Sequence, residues 1–320
     1  MTSSRHAQGR ISAALAAIHR WGEMIKFSHS VFALPFALMA TFLAARSAFR
    51  AGQALHRYPS GGQVLLIILC MVGARSAAMT FNRIVDARLD ACNPRTAQRP
   101  IPAGRISMRQ ALGFLAAASL VFVAGCAGFW WLEGNVIPLA ASLPVLGYLG
   151  FYSYTKRFTR WSHFVLGGAI ALSPPAAWLA IHPASAGWPA VVLMGAVTCW
   201  IAGFDIIYAC QDVDSDQLLG LHSLPAHLGL GTALWIARLS HAATMVLLVA
   251  LMWLAGLGWL YGLGVAAVAG LLIVENVLVR ANDLSRVNLA FFTVNGIISL
   301  LLGLLTIADV LLDLGPVISW

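Results

Sequence analysis

The chain is expected to fold as an all-α, polytopic membrane helix bundle, and three observations predict it. Of its 320 residues, 60% are hydrophobic and only 10% are charged, with a mean hydropathy of +0.81, whereas charged residues make up about 25% of an ordinary soluble domain. Stretches 27–45, 58–74, 161–204, 239–274 and 287–308 contain no Asp, Glu, Lys or Arg. The basic residues, finally, fall mainly into alternate connections between those stretches. In the bilayer core every backbone polar group must be satisfied within the spanning segment, which selects helices at these lengths.

A span needs about 20 residues, so 27–45 gives a first helix and 58–74 a second. Stretch 110–155, interrupted only by Glu133, gives two helices joined near that residue. Stretches 161–204 and 239–274 each hold two with a tight turn, and 287–308 holds the ninth. No small-residue cleavage site follows a short apolar core near the start, so the first helix is expected to be retained. The chain is expected to be one membrane domain, 1–320, with 1–22 a cytoplasmic N-terminal segment.

Sidedness follows from Lys and Arg. Arg5, Arg10, Arg20 and Lys26 precede the first helix; Arg83, Arg88, Arg95, Arg99, Arg105 and Arg109 follow the second; Lys156, Arg157 and Arg160 follow the fourth. Arg238 ends the sixth connection, and Arg280 and Arg286 lie in the eighth. The odd-numbered connections hold only Arg46, Arg50 and Arg57. The positive-inside rule then puts the N-terminus in the cytoplasm and, after nine helices, the C-terminus outside. The same rule accounts for the net charge of +8 without a nucleic-acid partner. Cys70, Cys92, Cys126, Cys199 and Cys210 lack metal-ligand spacing and read as packing residues.

The 12 acidic residues are not spread evenly: five gather in Asn82-Arg83-Ile84-Val85-Asp86-Ala87-Arg88-Leu89-Asp90 and Asp212-Val213-Asp214-Ser215-Asp216. Asn82, Asp86 and Asp90 recur every fourth residue, on one face of a helix. Clustered carboxylates raise one another's pKa unless a cation neutralises them, and Mg²⁺ held by a few carboxylates commonly comes with substrate phosphates. The two clusters sit four helices apart at the same end, hinting at a parallel repeat. Arg75, seven residues before Asn82, lies inside the span, where a guanidinium is functional by default; it suits a substrate carboxylate. Asp205, Tyr208, Asp212 and Asp216 step along one face of the sixth helix. Asp205 is the deepest of these and is expected to pair with Arg75, while Asp214 points elsewhere. Arg95, Arg99 and Arg105 stand in a polar, proline-stiffened loop beside the first cluster, and Lys156 with Tyr152 places a further cation and phenol at the same face. Carboxylates for Mg²⁺ beside cations for phosphate make an inventory for ionising a prenyl diphosphate.

At these residues the chain resembles the UbiA superfamily of membrane prenyltransferases over nearly its whole length. Its first motif, N-D-x-x-D-x-x-x-D, is matched by Asn82, Asp86 and Asp90, with Arg83 in place of the first Asp. Its second, D-x-x-x-D, is matched by Asp212 and Asp216. The loop from Arg95 to Gly104 is similar to the one that follows the first motif in quinone-pathway members. The resemblance implies metal-binding, catalytic roles for Asp86, Asp90, Asp212 and Asp216, and diphosphate contacts from Tyr152 and Lys156. It also implies a multi-pass protein of a bacterial-type inner membrane with its site facing the cytoplasm. The implied reaction is Mg²⁺-dependent transfer from a polyprenyl diphosphate to a hydroxylated aromatic carboxylate of the 4-hydroxybenzoate type, in respiratory quinone synthesis. Segments 26–36 and 220–225 resemble the branch assigned to 1,4-dihydroxy-6-naphthoate in menaquinone synthesis, so both acceptors stay open. Haem O synthase shares the implied fold and an acidic first motif. A secondary transporter would instead put charges near the midplane of an inverted repeat. His29, Glu275, Asn276 and Asn295 are candidates for the cavity border or for packing hydrogen bonds, and His222 for a diphosphate contact. Trp130, Trp131 and Trp188 read as interfacial anchors.

Overall fold

The computed structural model describes residues 21, 22, 24 and 32–316. His29, Lys26 and the 1–20 segment lie outside the described residues. The described chain is helical, with no strand beyond an isolated bridge between Arg280 and Asp283. We number the helices α1 (Leu34–Arg50), α2 (Gly61–Val85), α3 (Ala87–Cys92), α4 (Met108–Glu133), α5 (Ile137–Thr155), α6 (Ser162–Ala171), α7 (Ser173–Ile181), α8 (Trp188–Ala209), α9 (Val213–Leu218), α10 (Leu224–Leu254), α11 (Trp259–Leu278) and α12 (Asn295–Leu312).

Among the described residues, seven segments are long and apolar enough to cross a membrane: α2, α4, α6 with α7, α8 running on to Leu218, α10, α11, and 289–312. Two of the nine expected spans are shorter: α1 has 17 residues, and α5 has 19 with Pro144 inside it. Charge-free stretches misplace several ends. Helix α2 extends 11 residues beyond 74, through Arg75 and Arg83, because those cations face protein and the cavity rather than lipid. Arg238 is not in a connection: α10 starts at Leu224, and the guanidinium lies 5.0 Å from the Trp235 ring. Trp131 and Trp188 are largely exposed at helix ends, as interfacial anchors would be.

Neighbouring helices close a circuit: α1 against α2, α2 against α4 and α5, α5 against α6, α6 against α8, α8 against α10, then α11, α12 and back to α1. Small residues set the close approaches. A Cβ on Gly73 would meet the Phe122 backbone nitrogen of α4 at 2.8 Å, and one on Gly167 the Thr198 carbonyl of α8 at 2.5 Å. The core between α1, α8 and the turn 289–294 that leads into α12 is aromatic, with Phe36 and Trp200 centroids 5.2 Å apart and Phe204 and Phe291 5.2 Å apart. Glu275, Asn276 and Asn295 serve packing. Asn295 donates to Glu275 Oε1 at 2.8 Å and accepts from the Trp200 indole at 2.8 Å, and Asn276 bonds His241 at 2.8 Å. These bonds tie α8, α10, α11 and α12.

Candidate active site

The first acidic segment is positioned by α2. Ser60 and Gln63 form a capping box at its start, and the helix then runs 25 residues to Val85. Asp86 stands at the break before α3, but the amide bonds continue through it, Asp86 N to Asn82 O at 2.9 Å and Asp90 N to Asp86 O at 2.8 Å. Asn82, Asp86 and Asp90 therefore keep one face. The second segment follows α8, which tightens into a 3₁₀ turn over Cys210–Asp212 before α9. Asp212 sits on that turn and Asp216 in α9, rather than on one uninterrupted helix. Asp214 is exposed.

The loop after α3 brings the two segments together. Asn93 turns the chain by accepting the Arg95 amide at 2.9 Å, and its side-chain amide donates to Asp212 at 3.2 Å. Arg95 grips Asp212 with two bonds, Nε to Oδ1 at 2.8 Å and Nη2 to Oδ2 at 2.5 Å. It also donates to the Tyr208 phenol at 2.8 Å and lies over that ring. Partial burial opposes the charge on Arg95, but the Asp212 bonds outweigh it, and its pKa rises above the usual arginine value. Arg99 donates to Asp90 Oδ1 at 2.6 Å. Thr96 donates to the Asp90 carbonyl at 3.0 Å, which holds the loop to α3.

From the end of α5, Lys156 reaches Asp86 Oδ2 at 2.5 Å and Arg157 reaches Oδ1 at 3.3 Å. Asn82 donates to the same carboxylate at 3.1 Å. Asp86 and Asp90 are 1% and 5% exposed, so both are buried and charge-paired. Asp90 Oδ2 is buried with no hydrogen-bond partner among the described residues, and so is Arg75 Nε.

Beneath the clusters lies a cavity of about 160 Å³ bounded by α1, α2, α4, α5, α6 and α7. Its wall is apolar, with Ala37, Ile67, Phe122, Phe129, Leu149 and Leu166 among its residues; Arg75, Tyr152 and Ser173 are polar exceptions. Tyr152 lies within electrostatic range of Arg75, Arg83 and Asp86, which places this polar edge next to the first cluster.

One expected pair is absent. Asp205 does not meet Arg75; its Oδ2 lies 2.7 Å from His163 Nδ1 on α6. Arg75 belongs to the cavity wall, whereas Asp205 belongs to the contact between α6 and α8. Sequence reading missed His163 because charge counting treats 161–204 as blank, although a histidine there is as conspicuous as an acid. It also passed over Asn93 and Arg157, which carry no signal beyond lying next to the clusters. His222 presents its main chain to Lys156, while its ring stacks on His227 with centroids 4.7 Å apart.

Known proteins resemble this chain in sequence and in fold. A 4-hydroxybenzoate octaprenyltransferase of Paracidovorax citrulli is 32% identical over 172 residues, 54% of this chain and 56% of that one; the matched stretch thus spans little more than half of that relative. The apo structure of a UbiA homologue from Aeropyrum pernix K1 superposes with a TM-score of 0.73 at 29% identity, covering 89% of this chain and 98% of the other. A UbiA homologue from Archaeoglobus fulgidus bound to GPP and Mg²⁺ matches with a TM-score of 0.63 at 20% identity, over 91% of this chain and 99% of that one; this last likeness speaks to fold alone. The sequence pattern of the UbiA prenyltransferase family covers residues 33–297, and the chain, a multi-pass membrane protein, belongs to that family.

Proposed function

We propose that the chain transfers a polyprenyl group from a polyprenyl diphosphate to a hydroxylated aromatic carboxylate of the 4-hydroxybenzoate type, at the cytoplasmic face of a bacterial-type inner membrane. The observation that carries this reading is the junction of two acidic segments by Arg95, Arg99 and Lys156, beside an apolar cavity whose polar edge, Tyr152, adjoins Asp86. The matched octaprenyltransferase supports the donor and acceptor classes, and the Archaeoglobus homologue, itself bound to GPP and Mg²⁺, sets the precedent for a metal on this fold.

The donor set suits Mg²⁺, a hard cation that prefers carboxylate oxygen, and Asp90 Oδ2 is a buried oxygen with no hydrogen-bond partner among the described residues. Among the described residues, no three candidate ligands converge closely enough to hold an ion as they stand; Asp86, Asp90 and Asp212 turn toward their cations. The fit therefore lies in donor chemistry, with Asp86, Asp90, Asp212 and Asp216 as the proposed ligands. A bound Mg²⁺ would supply charge neutralisation on the departing diphosphate.

The residues of the chain account for the rest. Arg95, Arg99 and Lys156 bind the diphosphate oxygens, with Tyr152 beside them, and stabilise the charge that develops there. The bond from the allylic carbon to the diphosphate oxygen breaks, and its electron pair leaves with the diphosphate. The cavity wall shields the allylic cation from water. A ring carbon of the acceptor then bonds to that carbon, and the ring proton passes to the released diphosphate, which restores the aromatic ring. Arg75 at the polar edge orients the acceptor carboxylate by a two-point contact.

The test is incubation of purified protein and Mg²⁺ with a polyprenyl diphosphate and either 4-hydroxybenzoate or 1,4-dihydroxy-6-naphthoate, read by mass spectrometry. Prenylated benzoate is expected. Product from the naphthoate alone moves the protein to menaquinone synthesis, and product from neither, with the protein folded, overturns the reading.

A further inference from the structure

Asp205 and His163 are a polar pair beside the second cluster that the transfer reaction does not use. His163 opens α6, is 4% exposed, and engages both ring nitrogens. Nδ1 lies 2.7 Å from Asp205 Oδ2 on α8, and Nε2 accepts the Leu224 amide at 3.4 Å. An amide N–H only donates, so Nε2 is unprotonated and the proton sits on Nδ1, donated to the Asp205 carboxylate. Asp205 thereby fixes both the tautomer and the direction of the ring, which points at the first turn of α10, where a helix has amides without internal partners.

The connection from α9 to α10 is tied along its length. Gly220 turns it with φ +64°. Leu221 donates to the Asp216 carbonyl at 2.8 Å, and His222 donates to the Lys156 carbonyl at 2.6 Å. The Ser162 hydroxyl meets the His222 carbonyl at 3.5 Å, and the Ser223 hydroxyl bonds the Asp216 side chain. Residues 221–224 are thus a strap with one end at Asp216, its middle on Lys156 and its other end on His163. Lys156 touches the strap with its main chain and Asp86 of the first cluster with its side chain.

We propose that His163, oriented by Asp205, is a positioning residue that locks this strap and so registers the second acidic cluster against Lys156 and the first. The proposal rests on the reading of those clusters as a divalent-metal and diphosphate site. His163 touches no substrate; it acts through the placement of Asp216 and Lys156, where errors of about 1 Å cost on the order of 100-fold.

Binding of Mn²⁺ to the full-length protein in detergent, with inorganic pyrophosphate present, tests it by electron paramagnetic resonance. The His163→Ala change should weaken Mn²⁺ binding by about 10-fold or more, as loss of a group supporting metal ligands commonly does. The KM for polyprenyl diphosphate should rise in parallel. His163→Gln offers Leu224 an acceptor and Asp205 a donor, and should recover most of the binding. Unchanged Mn²⁺ binding in His163→Ala overturns the proposal, as does a glutamine variant no better than alanine, or a fall in kcat with KM unmoved. Should His163→Ala not fold, amide hydrogen exchange on the wild-type protein decides: slow exchange at His222 and Leu224 is expected, and fast exchange overturns the strap. A wild-type protein that binds no Mn²⁺ overturns the metal reading as well, whereas wild-type binding that the alanine variant preserves overturns the strap alone.

Discussion

The two ends of α2, about 37 Å apart over 25 residues, use the same residue types for different ends. At its N-terminal end Arg46, Arg50, Arg57, Asp309 and Asp313 gather. There the charges mostly saturate backbone, and even Arg50 and Arg57, which pair with Asp313 at 2.6 and 2.8 Å, also hold carbonyls: Asp309 accepts the Gly258 and Tyr261 amides at 2.9 and 3.1 Å, capping α11. Arg46 donates to the Ala255 carbonyl at 2.6 Å and Arg57 to the Val310 carbonyl at 3.0 Å. At the C-terminal end, side chain meets side chain: Lys156 with Asp86, Arg99 with Asp90, Arg95 with Asp212. Groups that complete helix ends have a finished task. Groups that pair only with one another can exchange partners for a ligand, and that separates a site from a brace.

The comparison can be broken most sharply at the carboxylates. Asp86→Asn and Asp212→Asn keep size but remove the charge and exchange one acceptor oxygen for a donor, and each should lower turnover by about 100-fold or more with the protein still folded in detergent. Near-normal product formation in either removes the metal assignment. Arg75→Leu should raise KM for the aromatic acceptor by roughly 10- to 100-fold, the worth of a hydrogen bond to a charged group, with KM for the diphosphate substrate unmoved. Equal rises in both would make Arg75 a diphosphate contact. At the opposite end Asp309→Ala should cost about 1–2 kcal/mol through loss of the α11 cap, read as a lower Tm, with kcat and both KM values intact. A kinetic defect without a stability defect there would erase the distinction between the ends.

What could be read from the sequence depended on how local each interaction is. The face shared by Asn82, Asp86 and Asp90 was legible because helical hydrogen bonds continue through the break at Asp86. Basic residues beside the acids were legible too, but not their pairing. Arg99 takes Asp90, nine residues back, whereas Arg95 crosses 117 positions to Asp212, and only the packed bundle decides that. The expected pair of Arg75 with Asp205 failed for the same reason: depth in the membrane can be read from position along a helix, but azimuth around the bundle cannot. Helix ends taken from charge-free stretches came out short wherever a cation faced protein, as in α2. The length of α10 was hidden behind Arg238, which rests on an aromatic ring at 5.0 Å.

The reach of Arg95 also has a meaning in time. A ribosome adding about 5–20 residues per second makes Arg95 and then needs a further ~6–23 s to make Asp212, 117 positions later. Through that interval the first helices can enter the membrane, but Arg95 has no carboxylate from the second segment to grip. The junction of the two acidic segments is therefore a late product of biogenesis: a nascent chain stalled before α8 can have a membrane anchor and a basic surface loop, and still lack Asp212 and Asp216.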